Sequence, residues 1–209
     1  MKRNTEKSVT IKYKDNPVLL DKALQDMQKH LLEKLPWLNK AFGRAYRFAE
    51  HRPDGEKFIY PAAYIGNGEY VSLLPNDNFG NFVWFDVYDP QEIAKITPRS
   101  PQYTFRGAAV FWYDVTTVFA DNAFIYSEEV KNEILKAFTA PGIISGVGRL
   151  EVEELYERFE NIYKDYSIEK VYDNFAYKGK NIQSIDKQYF MHPYTGLRVE
   201  FTLMVRESC

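Results

Sequence analysis

Residues 196–206 read Gly-Leu-Arg-Val-Glu-Phe-Thr-Leu-Met-Val-Arg, and no other stretch restricts the fold as much. In an extended chain successive side chains alternate faces. Leu197, Val199, Phe201, Leu203 and Val205 therefore share one face, and Arg198, Glu200, Thr202, Met204 and Arg206 share the other. The apolar members are mostly β-branched or aromatic, which suits a pleated surface. The spacing predicts a long strand with one face in a core and one facing water or a partner. So late in the chain, it must pair with strands formed earlier and close a sheet.

The chain before it supplies those partners. Residues 1–15 are polar, with a short extended possibility at 9–13, and are expected to be a flexible arm or an edge strand. Asn16 as N-cap and Pro17 in the first turn open an amphipathic helix. Its stripe is Val18, Leu20, Ala23, Leu24, Met27, Leu31 and Leu35, with His30 on the polar side, and Pro36 ends it. From Gly43 the period becomes two. Arg44 to Ala49, Lys57 to Ile65, Glu69 to Leu74 and Asn81 to Tyr88 read as three or four antiparallel strands in a meander, with Pro61 marking an edge or bulged strand. Residues 90–107 are expected to be irregular because of Pro90, Pro98 and Pro101, with one helical turn at 91–96.

Arg106 to Phe119 reads as a long central strand, and Ser127 as the cap of a second helix over 128–140, ended by Pro141-Gly142. Leu150 and Val152 are expected in a short strand. Leu155, Tyr156, Phe159, Ile162 and Tyr163 recur at helical spacing and predict a third helix over 153–166. Strands in blocks rather than alternating with helices indicate α+β: a mostly antiparallel or mixed sheet with about three helices packed on one face. At 209 residues, a single domain over 1–209 is expected.

Composition removes several function classes. With 29 acidic and 27 basic residues, nothing suggests an electrostatic nucleic-acid binder or a polybasic membrane anchor. One cysteine, Cys209, excludes an internal disulfide framework and fits a reducing compartment. There is no secretory leader and no run of about 20 apolar residues, so a soluble intracellular product is expected. The aromatic content, 16 Tyr, 15 Phe and 3 Trp, fits a β-rich fold or extensive protein–protein contact, and the two are compatible.

Catalytic signatures are absent. His30, His51 and His192 stand in no metal-ligand spacing, and Cys209 sits at the chain end. The run 141–148 lacks the Gly-Lys-Ser/Thr ending of a phosphate loop and follows a helix instead of preceding one. Asn76-Asp77-Asn78 lacks the rest of a calcium loop and reads as a turn. Glu151, Glu153, Glu154, Glu157 and Glu160 read as the solvated face of a helix. Arg44 and Arg47 fall on opposite faces of their strand and form no patch. No catalytic, cofactor or metal residue is therefore assigned, and only a deep pocket with two converging ionisable groups of perturbed titration would reopen the enzyme class.

The segment Asp186 to Leu203 (Asp-Lys-Gln-Tyr-Phe-Met-His-Pro-Tyr-Thr-Gly-Leu-Arg-Val-Glu-Phe-Thr-Leu) resembles the C-terminal strand of small neck and tail-completion proteins of tailed bacteriophages. The order of amphipathic helix, block of strands and later helix is similar to the tail-terminator fold; residues 150–188 have no counterpart there. The resemblance implies a structural virion protein, assembled in the host cytoplasm. Copies would form a ring, commonly a hexamer, that closes the tail tube and meets the neck and connector proteins. DNA would pass through the lumen without specific binding. It implies no enzyme activity, no cofactor and no membrane association. A closed ring needs two complementary patches per subunit. Tyr194, Arg198, Glu200 and Arg206 on the outer face of the last strand are the candidates for one, an ordinary solvated sheet face being the alternative. A cytosolic protein-binding module using an aromatic sheet face is the competing reading.

Overall fold

The computed structural model describes residues 9–51, 55, 57–75, 79–89, 91–97, 100–119, 127–144, 148–167 and 194–206. The expected turns at 52–54 and 76–78, the side chain of Ser127, His192 and most of the segment 150–188 lie outside the described residues. Among the described residues the chain is α+β, with a mixed, mostly antiparallel sheet of eight strands and four helices.

The first helix, α1, spans Leu19–Lys34. It begins later than Asn16 and Pro17 suggest: Val18 is the cap residue, and its side chain accepts no capping hydrogen bond. Residues 9–14 form no regular element, yet they are tied down. The Lys12 amide donates to the Ile65 carbonyl at 3.0 Å, and Gln25 exchanges two hydrogen bonds with the Lys14 backbone. Gln25 and His30 are buried, not on a wet face, because polar partners meet them. The His30 ring lies 3.0 Å from the Ala137 carbonyl of the later helix.

Strands β1 (Lys40–His51), β2 (Lys57–Gly66) and β3 (Glu69–Ser72) form the expected antiparallel meander. Pro61 lies within β2, which is flanked on both sides. It is tolerated because its carbonyl accepts from Leu73 just past the end of β3; the missing N–H points the same way, where no ladder bond is required. β4 (Phe82–Val87) is not a fourth meander strand: it runs parallel to β1 and antiparallel to β6 (Ser100–Asp114).

Residues 92–97 form strand β5 (Glu92–Thr97), not a helical turn. β5 follows β4 along the same edge of β6, and Pro101 stands at the end of β6, where a missing donor costs little. The central strand stops at Asp114, whose carboxylate accepts from the Thr116 amide and starts the short α2 (Val115–Val118). Helix α3 (Ser127–Thr139) appears as expected.

The helix expected over 153–166 is overturned. Gly148–Tyr156 is strand β7, followed by a single turn, α4 (Phe159–Ile162). β8 (Tyr194–Arg206) pairs with β6 on one side and β7 on the other, giving the order β3-β2-β1-β4-β6-β8-β7. It is therefore interior, and β7 is the edge.

Alternate side chains of β4, β6 and β8 enter two separate cores. Val83, Phe85, Phe111, Leu197, Val199, Phe201 and Leu203 pack with α1 and α3 on one face. Phe82, Trp84, Val110 and Trp112 pack on the other with Ile162, Tyr163 and Tyr166, which the chain after β7 lays across it. Helical and turn segments thus contribute to both faces. The Tyr163 hydroxyl donates to the Leu73 carbonyl at 3.1 Å, and the Ser167 backbone and hydroxyl bond to Ile59 of β2.

Candidate functional site

Two features stand out: a buried ionic knot on the second face with a cleft beside it, and an exposed aromatic surface on β1 to β3.

The knot is centred on Arg198, whose side chain is 0 % exposed. The register explains its reach. Asp86 of β4, Ala108 of β6 and Glu200 of β8 lie in one row, and the small Ala108 leaves room for a long side chain to cross β6. The guanidinium donates to Asp86 (3.4 Å), Asp165 (3.3 Å), Glu200 (3.3 Å), the Ile162 carbonyl (3.1 Å) and the Tyr88 hydroxyl. Tyr88 donates in turn to Glu200 at 3.0 Å, Lys164 bonds to Glu200, and Tyr166 donates to Asp86 at 3.2 Å. A buried charge is tolerable only with such a complete set of partners.

Titration in the knot follows its packing. Burial raises the Asp86 pKa above the usual carboxylate range, against the pull of Arg198. Burial would also raise Glu200, but the bonds from Lys164 and Tyr88 outweigh it and hold Glu200 below its ordinary value. Burial pushes the Tyr88 and Tyr166 phenols above theirs. Burial opposes the Arg198 charge, and Tyr88, Asp86 and Asp165 overturn that and keep it protonated.

The outer-face residues of β8 are thus not the exposed set expected. Arg198 is fully buried and Glu200 is mostly covered. Tyr194 is half-buried and stacks on Trp112 at 6.4 Å, and only Arg206 lies on the surface, bonded to Gln102. The polar face of the strand is covered because 158–167 crosses it, which alternation within β8 cannot reveal.

The cleft opens where β1 and β4 part. They pair only from Lys40↔Phe82 to Arg44↔Phe85, with an irregularity in β1 before Arg44. Beyond that β1 leaves with β2, and the chain of β4 continues along β6 into β5. The gap has a volume of about 510 Å³ and is lined by Arg44, Ala45, Tyr46, Arg47, Asp86, Val87, Tyr88, Asp89 and Asp165. A neighbouring hollow of about 430 Å³ shares Tyr88, Asp89 and Asp165 and adds Glu92, Arg106 and Lys164. Arg44 and Arg47, on opposite faces of β1, nevertheless both line this cleft, because it lies at the strand's edge. Two ionisable groups with raised pKa values, Asp86 and Tyr88, do converge here. Among the described residues no group of His, Cys, Asp and Glu is arranged to hold a metal ion.

The aromatic surface is carried by β1, β2 and β3. Tyr46, Tyr64 and Tyr70 are 44 %, 46 % and 48 % exposed. Tyr70 packs against Tyr46, Phe48 and Tyr64 with ring centroids 5.8, 5.1 and 5.3 Å apart, and Tyr60 joins through Phe48. The signal in the sequence was aromatics of one parity on successive strands: Tyr46 and Phe48, Tyr60 and Tyr64, and Tyr70.

No family model matches this chain, and no curated protein matches it significantly in sequence.

Proposed function

We propose that this chain works by contact, as a ring-forming structural protein at the tail-tube end or head–tail neck of a tailed bacteriophage. The observation that carries the contact reading is the tyrosine surface on β1 to β3. Tyrosines held edge-to-face against one another present area at small entropic cost, which is the composition of protein interfaces rather than of solvated sheets. The ionisable groups of the knot support the same reading. Both oxygens of Asp86 and both of Asp165 are already engaged, so neither carboxylate is poised as a free base. The specific assignment to a phage tail rests on the resemblance of 186–203. It carries with it a hexameric ring, tail-tube and connector partners, DNA passing through the lumen, a place in the virion and assembly in the host cytoplasm. No described helix is long and apolar enough to cross a membrane.

Negative-stain microscopy and sedimentation velocity of the purified chain, alone and with tail tubes, test this. Closed annuli are expected; a strictly monomeric species at high concentration that tail tubes do not convert to rings overturns it. The same aromatic face would serve a protein-binding module with a different partner, and that second reading is favoured if the chain stays monomeric while Tyr46→Ser/Tyr70→Ser abolishes capture of one defined protein.

A further inference from the structure

The cleft between β1 and β4 holds unused hydrogen-bonding capacity that the knot does not consume. Its two buried or half-buried carboxylates are spoken for: Asp86 by Tyr166 and Arg198, Asp165 by Arg47 and Arg198. Arg44, by contrast, makes no hydrogen bond or ion pair among the described residues and only lies over the Tyr46 ring, at 5.7 Å. A guanidinium carries five N–H donors in a fixed fork. Arg47 engages Asp165 at 3.5 Å and is more than half exposed, so its fork too is largely open. The exposed carboxylate of Asp89 is an open acceptor on the wall, with no hydrogen bond or ion pair among the described residues. Tyr46 and Tyr88 supply ring surface between them.

The position agrees with the chemistry. β1 and β4 are neighbouring parallel strands that separate at their carboxyl ends, and crevices of that kind receive ligands in parallel sheets. A volume of about 510 Å³ falls within the range of small-molecule sites.

We infer that this cleft binds a small anion that also carries a hydroxyl or amine, its phosphate or carboxylate on the forks of Arg44 and Arg47 and its donor on Asp89. Planar forks match either anionic group in the same two-bond geometry. The site goes beyond the assembly role proposed above and shares only Tyr46 with the aromatic surface that carries that role.

Isothermal titration calorimetry with inorganic phosphate, ribose 5-phosphate and glycerate tests it. Saturable binding of ribose 5-phosphate or glycerate is expected, and which of the two binds tells a phosphate ester from a hydroxy acid. Arg44→Gln and Arg47→Gln should each weaken it by about tenfold or more, the loss of a charge-assisted bond. Arg149→Gln, which removes the same charge from exposed β7, should leave it unchanged. Asp89→Asn should tighten inorganic phosphate, by removing repulsion, and weaken the hydroxylated ligand. No saturable heat with any of the three overturns the site, as does equal affinity in Arg44→Gln, or Arg149→Gln weakening binding as much. If Asp89→Asn tightens all ligands alike, the donor half of the inference fails. Unfolding midpoints of the variants confirm that each is folded, and sedimentation of the same samples reports ring formation separately.

Discussion

The strands of this sheet alternate in two places with opposite outcomes. On β8 two polar members of the pattern, Arg198 above all and Thr202, are buried, and on β1 to β3 the large aromatic members are half exposed. The difference is what lies on top. Residues 158–167 cross the second face of β4, β6 and β8 and convert a would-be wet surface into a core with a charge inside it. No described element covers the tyrosine surface of the β1 to β3 lobe in the same way. A period of two says which side chains share a face; it does not say which face is dry.

Removing Arg198 is the strongest way to break that contrast. Arg198→Met leaves Asp86 buried without its cation and Asp165 with Arg47 alone, and should cost about 3–5 kcal/mol in urea unfolding. A loss under about 1 kcal/mol would mean that the knot is wet in solution and resembles the lobe. Gly107→Ala comes next. A β-carbon at that position meets the Asp86 backbone carbonyl and the Phe201 ring, so β4 must shift against β6 at a cost of about 1–3 kcal/mol.

Alkaline pH sharpens the same comparison without mutation. Burial raises the pKa values of Tyr88, Tyr113, Tyr163 and Tyr166. A phenol whose folded value lies above its unfolded value of about 10 contributes stability that is complete below pH 10. That contribution is lost as pH rises toward the folded value. Unfolding free energy should therefore fall from about pH 10 upward, with these phenols ionising only as the chain unfolds; ultraviolet difference absorbance reads both. Ionisation of all tyrosines while near-ultraviolet circular dichroism stays native would show both cores to be open.

The smallest effects belong to the surface. Arg47→Gln loses an exposed pair with Asp165 and should change stability by no more than about 1 kcal/mol. Tyr70→Ser should likewise stay within about 1 kcal/mol by urea unfolding, since its ring is half exposed, yet it should weaken self-association by about 2 kcal/mol or more if the lobe is an interface. Unchanged sedimentation in Tyr46→Ser/Tyr70→Ser would remove the lobe from the assembly.

Much of the fold was legible where a single element carries a clean period. The stripe of α1, the buried face of β8 from Leu197 to Leu203 and the meander of β1 to β3 are examples. β7 was misread because its register slips between Val152 and Glu154, which breaks the two-residue period and leaves Leu155, Tyr156, Phe159, Ile162 and Tyr163 at apparent helical spacing. β5 was missed because prolines surround it, although as an edge strand it needs ladder bonds on one side only. Of the site, only the residue types could be seen. Arg44 and Arg47 looked separated because parity along a strand describes its faces, and the cleft lies at its edge.

The sequence by itself determined the α+β class, the amphipathic helices α1 and α3 and the apolar face of β8, because each follows from local geometry and side-chain period. Only the tertiary structure decided that β8 is interior, that Arg198 is buried among Asp86, Asp165, Glu200 and Tyr88, and that β1 parts from β4 to open a cleft. Those outcomes depend on contacts between residues up to 112 positions apart, such as Asp86 with Arg198, and the period of any one strand contains no information about what covers it.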